Sequence, residues 1–348
     1  MNPIRTAILS YGMSGKLFHA PFLHVHPGFE LCGVWERTKN EAIEKYPEIV
    51  TFRSLEELLS DNSIELVIVN TPNITHFEYA RQALLAGKHV IVEKPFTVTA
   101  DEAEQLIILA NEKKKLLSVY HNRRFDSDYK TIKKVLNEGI IGHINEAEFH
   151  FDRFRNELSP KTHKEVAVKG TGALYDLGSH LIDQALQLFG IPEAVFADIR
   201  MIRTNSQVDD YFELLLYYND KRVRLKANYL VREPLPGYII HGSKGSFIKQ
   251  RTDVQEKALL QNILPESPGW GVEPGTEKGL LHTEINGKVV REQVASLTGN
   301  YMEYYNSIYD ALRNNKDAPV APLDGLQVIR VIEAAFESNA KRSVVPLT

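Results

Sequence analysis

The chain has 348 residues, more than one hydrophobic core usually organises, so we expect two domains. Charged residues make up 25%, and 41 Lys and Arg against 45 Asp and Glu leave a formal charge of -4, which gives no reason to expect nucleic acid or an anionic membrane as partner. The single cysteine, Cys32, excludes an internal disulfide, and the chain lacks both a secretory signal and an apolar run of the ~20 residues that cross a bilayer. We therefore expect a soluble, cytoplasmic protein.

The first part of the chain alternates short apolar runs with amphipathic stretches. Helical patterns cover residues 76–86 and 99–113. Strands that are apolar on both sides and separated by helices are typical of a parallel sheet with both faces covered. The pattern predicts an α/β Rossmann domain, a doubly wound parallel sheet, over residues 1–121. Its predicted strands are residues 6–9, 31–35, 65–69, 89–92 and 116–120.

The remaining chain, residues 122–348, has alternating strand patterns. Three of them follow one another with no helical pattern between, which indicates a largely antiparallel sheet with one open face. We expect an α+β domain with a large, mostly antiparallel open sheet, used for substrate binding and oligomerisation. Its predicted strands are residues 147–154, 195–203, 211–218 and 223–229, its helices are residues 174–189, 302–313 and 326–339, and residues 261–277 are a long loop.

A glycine-rich turn at residues 10–15 lies between the first predicted strand and a predicted helix. A dinucleotide turn needs glycine where the backbone approaches the pyrophosphate and where the helix meets the strand, and Gly12 and Gly15 fit these two places. Ser10 stands in place of the first glycine. A simple strand-to-helix turn is the alternative, but the position after the first strand, with a helix dipole pointing at the ligand, favours the dinucleotide.

Glu36 lies 21 residues after Gly15, where an acidic residue would bind the ribose hydroxyls of NAD. Arg37 follows it and suits the 2′-phosphate of NADP or the face of the adenine. Solvated charges at a helix start are the third interpretation. The two residues leave the choice between NADP and NAD open.

Two further strands end in polar residues at the expected ligand-binding edge of the sheet. Thr71 and Asn73 are able to hydrogen-bond a ribose or a carboxamide, and Pro72 stiffens the turn between them. Asn73 equally suits the cap of the next helix. Lys94, in the Glu-Lys-Pro motif at residues 93–95, is expected to be partly desolvated and suited to proton transfer, with a surface lysine paired to Glu93 as the alternative.

A second cluster begins with glycines and continues into a predicted helix. Asp176 and His180 are four residues apart and share one helix face, and Asp183 follows one turn later. A histidine flanked by carboxylates is suited to moving a proton. Metal chelation and a plain acidic helix start are the alternatives; we expect no metal, because no second His or Cys group is near in the sequence.

Polar residues also end the last strand of the first domain. His121, Asn122 and Arg124 are typical of a grip on a polyhydroxylated substrate or on the nicotinamide, and a solvated interdomain linker is the equal alternative. His19 is expected to be structural or on the surface, with an approach to the active cleft as the other possibility.

These motifs together resemble the Gfo/Idh/MocA oxidoreductases. The glycine turn, the Glu-Lys-Pro motif and the Asp176–His180 segment carry the resemblance, which covers essentially the whole chain; residues 120–124, 175–180 and 209–212 are most similar to the NADP-dependent scyllo-inositol dehydrogenase branch. The resemblance implies a Rossmann domain, an open-sheet domain and a homo-oligomer, a dimer or tetramer, assembled through that sheet. It also implies Lys94, Asp176 and His180 as the catalytic group and favours NADP, because Arg37 matches the site that binds NADP in this branch.

We therefore expect reversible oxidation of a secondary alcohol on a cyclic polyol or sugar, with a nicotinamide cofactor. An NAD-dependent glycoside hydrolase with transient oxidation and a non-catalytic nucleotide sensor are the alternatives. The expected cofactor contacts are Tyr11, Gly12, Met13, Ser14, Gly15, Glu36, Arg37, Thr71, Pro72, Asn73, His76, Glu93 and Lys94, and the expected substrate contacts are Lys94, His121, Asn122, Arg124, Asp176 and His180.

Overall fold

The computed structural model describes residues 2–160 and 164–347. Contacts between residues divide the chain into two compact units. The first consists of Met1–Asn122, Gln255–Trp270 and Asn300–Leu326, and the second of Arg123–Val254, Gly271–Gly299 and Gln327–Thr348. Two late segments thus return to the first unit. The predicted domains, residues 1–121 and 122–348, stay a prediction.

The first unit contains a six-stranded sheet in the order β3-β2-β1-β4-β5-β6, and every pairing in it is parallel. The central strand β4 is buried at every position, which explains its continuous apolar sequence. The predicted doubly wound sheet is confirmed, and one short strand was missed. The strands are β1 (Ile4–Ile8), β2 (Phe29–Trp35), β3 (Val50–Phe52), β4 (Leu66–Val69), β5 (His89–Glu93) and β6 (Leu117–Tyr120).

Helices cover the sheet of the first unit. A capping box between Thr99 and Glu102 begins α5 where the sequence predicts a helix start. Stacked and edge-on aromatic rings from the late segment, Tyr304 and Tyr305 among them, pack against Phe22 and Tyr120. The helices are α1 (Ala20–Val25), α2 (Glu41–Lys45), α3 (Leu55–Ser60), α4 (His76–Leu85), α5 (Ala100–Lys113), α8 (Val254–Leu260) and α9 (Met302–Arg313).

The second unit contains a nine-stranded sheet in the order β14-β13-β12-β11-β7-β10-β9-β8-β15. Only the pair β7–β10 is parallel among its described pairings, so the expected mostly antiparallel sheet is confirmed. The strands are β7 (Ile144–His150), β8 (Ala194–Arg200), β9 (Tyr211–Tyr217), β10 (Arg222–Asn228), β11 (Tyr238–Gly242), β12 (Gly245–Lys249), β13 (Gly279–Ile285), β14 (Lys288–Val294) and β15 (Val345–Pro346).

One face of this sheet is buried and the other is partly exposed. Side chains alternate between buried and half-buried along β9 and β10, as expected for a sheet with one open face. The helices of this unit are α6 (Ser127–Asn137), α7 (Ser179–Phe189) and most of α10 (Pro322–Lys341). In the described part of the chain, no helix has the length and apolar composition required to span a membrane.

Candidate functional site

The glycine turn follows β1 and presents an open side. A Cβ added at Gly12 would contact only the Ser10 hydroxyl, at 3.4 Å, whereas one at Gly15 would lie 2.1 Å from the Ser10 carbonyl oxygen. Gly15 thus permits the helix to approach the strand end, and Gly12 leaves space beside the backbone. These are the two places that a dinucleotide pyrophosphate needs, so the turn fits the expected cofactor. Tyr11 is buried and Met13 is exposed.

The helix after this turn is irregular. Residues Gly15–His19 form a π-helical turn, and α1 begins after it. Pro21, the second residue of α1, lacks the N–H that a regular helix would donate to the Leu17 carbonyl, so the irregularity coincides with a proline. The π-turn ends at His19, which is fully buried rather than on the surface.

The Glu93 carboxylate lies among donors from both motifs of the first unit. Oε1 accepts from the Ser14 hydroxyl at 2.5 Å and lies 3.0 Å from Nε2 of His19, and Oε2 accepts from the Lys94 N–H at 3.1 Å. Burial by itself raises the pKa of Glu93, but the hydrogen bond and charge of His19, the hydrogen bond from Ser14 and the Lys94 charge outweigh it and lower the pKa to about 2. Glu93 is therefore ionised at neutral pH and serves as an acceptor.

Glu36 and Arg37 differ in exposure. Glu36 is buried, and its Oε2 accepts from the Ala42 N–H at 3.0 Å, so this carboxylate supports the start of α2. The Arg53 guanidinium donates to the Glu36 carbonyl at 2.8 Å and to the Lys39 carbonyl at 2.7 Å, which holds the loop in place. Arg37 is exposed. Glu36 is thus hydrogen-bonded within the protein, whereas Arg37 faces solvent.

The residues after β4 are held by hydrogen bonds to the glycine turn and to the start of the next helix. Asn70 donates to the Ser10 carbonyl at 2.7 Å, and its buried Oδ1 has no partner among the described residues, so an acceptor is left beside the glycine turn. Thr71 and Thr75 share a hydrogen bond of 2.7 Å. Asn73 begins a 3-10 turn (Asn73–Thr75) after Pro72, and is therefore not the N-cap of α4.

His76 is the first residue of α4 and is fully buried. Its two ring nitrogens lie 2.9 Å from the carbonyl oxygens of Thr71 and Pro95. Burial lowers its pKa, although the two carbonyls act in the opposite direction. His76 therefore joins the loops that follow β4 and β5 from inside; a contact with the cofactor stays a prediction. Lys94, half-buried, directly follows β5 in one of these loops.

The polar residues after β6 are two buried side chains and an arginine in an ion pair. His121 and Asn122 are buried. In the second unit, Arg124 binds both carboxylate oxygens of Asp183, at 2.9 and 2.5 Å, with both side chains at most 10% exposed. This bidentate pair ties the start of the second unit to α7. Its role in substrate binding stays a prediction.

The Asp176–His180 segment also contains a π-helical turn, Leu174–Gly178, which precedes α7. The sequence predicts a regular helix here, so the turn is a correction of detail; π-turns of this kind are frequent at functional sites. Asp176 lies 3.2 Å from the Lys164 ammonium and is partly exposed, and His180 is 5% exposed.

Asp209 holds the start of this segment. Its carboxylate accepts from the Leu174 N–H at 2.7 Å and its carbonyl accepts from the Ala173 N–H at 2.7 Å. Gly172, with a φ of +96°, leaves no room for a Cβ, which would lie 1.9 Å from Asp209 Oδ1. Burial, only partly offset by the hydrogen bond from Leu174, raises the pKa of Asp209 to about 6. Sequence reasoning noted residue 209 as part of a motif but assigned it no role.

A cavity of about 480 Å³ opens in the second unit beside the same segment, lined by Thr171, Tyr175, Arg200, Asp209 and Phe336 among others. Its lining does not include Asp176 or His180. In residues 2–160 and 164–347, no group of three or more His, Cys, Asp and Glu side chains is arranged to hold a metal ion.

Comparison with known proteins covers both parts of the chain. A family model described as the NAD-binding Rossmann fold of an oxidoreductase family matches residues 4–121, and the model of that family's carboxyl-terminal α/β domain matches residues 133–347. The scyllo-inositol 2-dehydrogenase (NADP(+)) IolW of Bacillus subtilis is 40% identical over 347 residues, 100% of this chain and 97% of that protein. The uncharacterized oxidoreductase YdgJ of Escherichia coli is 38% identical over 99% of both chains.

Solved structures agree with these relatives. The oxidoreductase yvaA of Bacillus subtilis superimposes with a TM-score of 0.95 at 40% identity, covering 100% of this chain and 99% of that one. An oxidoreductase of Bacteroides fragilis superimposes with a TM-score of 0.91 at 45% identity, covering 99% and 100%. Both the sequence and the fold are thus similar to oxidoreductases along their full lengths.

Proposed function

Because this chain belongs to the Gfo/Idh/MocA family of oxidoreductases, we propose that it is an NADP-dependent dehydrogenase of cyclic polyols or sugars. The reaction interconverts a secondary alcohol and a ketone. The observation that carries the proposal is the full-length similarity to a scyllo-inositol 2-dehydrogenase, together with Lys94 at the end of a buried strand and joined through Glu93 to the glycine turn.

When bound at the glycine turn, a nicotinamide cofactor would supply the acceptor for the hydride on the carbon that bears the hydroxyl group. We assign the remaining work to three side chains of this protein. His180 takes the hydroxyl proton, and Lys94 donates hydrogen bonds to the oxygen as its carbon becomes a carbonyl. Asp176 orients the hydroxyl or the His180 ring. An exchange of roles between Lys94 and His180 gives the same overall balance of one hydride and one proton.

The experiment measures NADP reduction by absorbance across a panel of inositols and sugars. Lys94→Ala is expected to lose about 100-fold or more in kcat, because it removes the group that stabilises the developing charge, while NADPH affinity stays within about 3-fold. Lys113→Ala, at an exposed position of α5, is the matched control and should retain wild-type rates. Near-normal turnover in Lys94→Ala would contradict the assignment.

We infer a preference for NADP from the loop after β2. Glu36 is bound to the Ala42 N–H and Arg37 is exposed, so the loop offers a cation to a 2′-phosphate. Arg37→Ala is expected to weaken NADPH binding by about 10-fold or more and to leave NADH binding within about 2-fold, because only NADPH carries the phosphate. NADH serves as the control within the same variant. Equal losses for both cofactors would contradict the preference.

We also propose that the protein acts in the cytoplasm as a homo-oligomer assembled through the open face of the nine-stranded sheet. The half-buried positions of β9 on this face include Tyr211, Leu215 and Tyr217, apolar or aromatic groups of the kind found at subunit contacts. Cys32 is buried, and burial raises the pKa of its thiol to about 11, which suits a reduced and unreactive cysteine.

A further inference from the structure

A buried histidine lies outside the catalytic group and contacts Glu93 of the Glu-Lys-Pro motif. His19 is 0% exposed, and its two ring nitrogens lie 3.0 Å from Glu93 Oε1 and 2.8 Å from the Tyr305 hydroxyl. The Tyr305 hydroxyl also lies 2.9 Å from the Phe18 carbonyl oxygen, to which Tyr120 donates at 3.0 Å. His19 is therefore held at both ends of its ring inside the unit.

The direction of the bond to Glu93 follows from charge. Glu93 accepts from the Ser14 hydroxyl and from the Lys94 N–H, and its lowered pKa keeps it a carboxylate with no proton to donate at neutral pH. Nε2 of His19 is therefore the donor. The same oxygen accepts from the Ser14 hydroxyl at 2.5 Å, so one carboxylate oxygen joins the glycine turn to the end of the π-turn.

The other oxygen of Glu93 reaches the next residue of the motif. Oε2 accepts from the Lys94 N–H at 3.1 Å. A carboxylate bound by Ser14, His19 and Lys94 has little freedom to rotate, because each donor restricts a different direction. His19 is the last residue of the π-turn, which adds one residue to that turn of the helix.

We propose that His19 is a positioning residue, which through Glu93 couples the cofactor-binding turn at Ser14 to the placement of Lys94. The inference rests on the proposed function, because the coupling has a use only if the turn binds a dinucleotide and Lys94 acts on the substrate. Loss of the His19 donor frees the Glu93 carboxylate, and the Ser14 hydroxyl and the Lys94 backbone lose a fixed partner.

The first experiment titrates NADPH fluorescence in the full-length protein and needs no substrate. His19→Leu is expected to raise the Kd of NADPH about 10-fold, and His19→Gln, which keeps an N–H donor, to return it to within about 3-fold of wild type at a similar Tm. His24→Leu, the same change at an exposed position of α1, is the control and should bind normally. Equal losses in the Leu and Gln variants would overturn the proposal.

A double-mutant cycle tests the relay itself. Ser14 and His19 each contact Oε1 of Glu93, so the Kd of Ser14→Ala/His19→Leu should differ from the product of the single changes by about 3-fold or more. If the Leu variant folds poorly, His19→Ala, which also removes the donor, takes its place in the same cycle. Changes that multiply within 2-fold would overturn the coupling alone, whereas a wild-type protein that binds no NADPH would overturn the proposed function as well.

The link to Lys94 has a separate readout. With an active polyol and saturating NADP, His19→Leu is expected to lower kcat about 10-fold, because saturation removes the effect of weaker cofactor binding. His19→Gln should recover most of this loss. An unchanged kcat in His19→Leu would overturn the link to Lys94.

Discussion

Ser10 occupies the place where a dinucleotide turn usually has its first glycine, and its atoms are used locally. Its hydroxyl accepts from the Gly12 N–H at 3.2 Å, and its carbonyl accepts from the Asn70 amide at 2.7 Å. The serine thus closes the turn on itself and joins it to the end of β4.

The two glycines of the turn should respond differently to one added methyl group. In Gly15→Ala the new Cβ would lie 2.1 Å from the Ser10 carbonyl oxygen. Because relieving this clash requires a shift of the backbone, we expect a loss of ~1–3 kcal/mol in the free energy of unfolding. In Gly12→Ala the methyl group meets only a hydroxyl at 3.4 Å, so stability should change by less than ~0.5 kcal/mol.

The effect of Gly12→Ala should appear in NADPH affinity rather than in the free energy of unfolding. In the proposed complex the added methyl group of Gly12→Ala lies where the pyrophosphate approaches the backbone. NADPH binding is therefore expected to weaken about 10-fold or more in a stable protein. Denaturant unfolding and NADPH titration measure the two quantities on the same samples. Normal NADPH affinity in Gly12→Ala would show that the turn does not hold the cofactor.

Two helices of the protein begin with a π-helical turn rather than a regular one. The turn Gly15–His19 has a signal in the sequence, since Pro21 interrupts the backbone bonding of the helix. The turn Leu174–Gly178 has no proline, and its geometry depends on Asp209, 35 residues away from Leu174. A periodic pattern of apolar residues predicts the helix in both cases, but not the extra residue in its first turn.

The stability of the protein should depend on the charge of Asp209, which binds the start of the segment that leads into α7. The pKa of this carboxyl is raised to about 6 from 3.8, mainly by burial, so the protonated form stabilises the fold below about pH 4 and this contribution is lost as the pH rises through about 6. The shift of about two units corresponds to at most ~3 kcal/mol. Asp209→Asn keeps an acceptor for the Leu174 N–H and never ionises.

We therefore expect Asp209→Asn to be more stable than the wild type at pH 7.5 and equally stable near pH 4. Urea unfolding at several pH values between 4 and 8 measures the difference. Asp317→Asn, at an exposed position, is the control and should follow the wild type at every pH. A constant difference between Asp209→Asn and the wild type across this range would show that Asp209 does not titrate there.

At the scale of the whole molecule, the open face of the nine-stranded sheet leaves apolar and aromatic side chains partly exposed. β9 and β10 bury every second side chain and leave the others partly exposed, including the cross-strand pair Leu215 and Arg224. A half-buried face of this extent, with aromatic and apolar groups among charges, is typical of a subunit interface. This surface is the one to which the proposed assembly is assigned.

Native mass spectrometry should therefore find a dimer or tetramer for the wild type. Leu215→Arg, in the middle of β9, is expected to shift the population to the monomer, because it places a charge inside the contact. Ile108→Arg is the matched control: it makes the same kind of change at a 58% exposed position of α5 and should leave the assembly intact. A wild-type monomer at micromolar concentration would contradict the proposal.

The sequence alone determined the features that depend on local periodicity. Buried parallel strands read as continuous apolar runs, which predicted five of the six strands of the first sheet, and alternation predicted β7 to β10. Strands β11 to β15 were missed. The turn Asn286–Gly287, with positive φ at both residues, is a signal for the β13–β14 hairpin that would have found two of them.

Only the tertiary structure decided which distant side chains meet. His19 and Glu93 are 74 residues apart, and Ser118 and Tyr304 are 186 residues apart, yet each pair is hydrogen-bonded within the first unit. No local pattern contains this information, because the partner of a buried polar group depends on the order of the strands and on which late segment returns to cover them. The residue types predicted the chemistry of the candidate site, and only the fold placed Glu93 beside His19 and Asp209 beside Leu174.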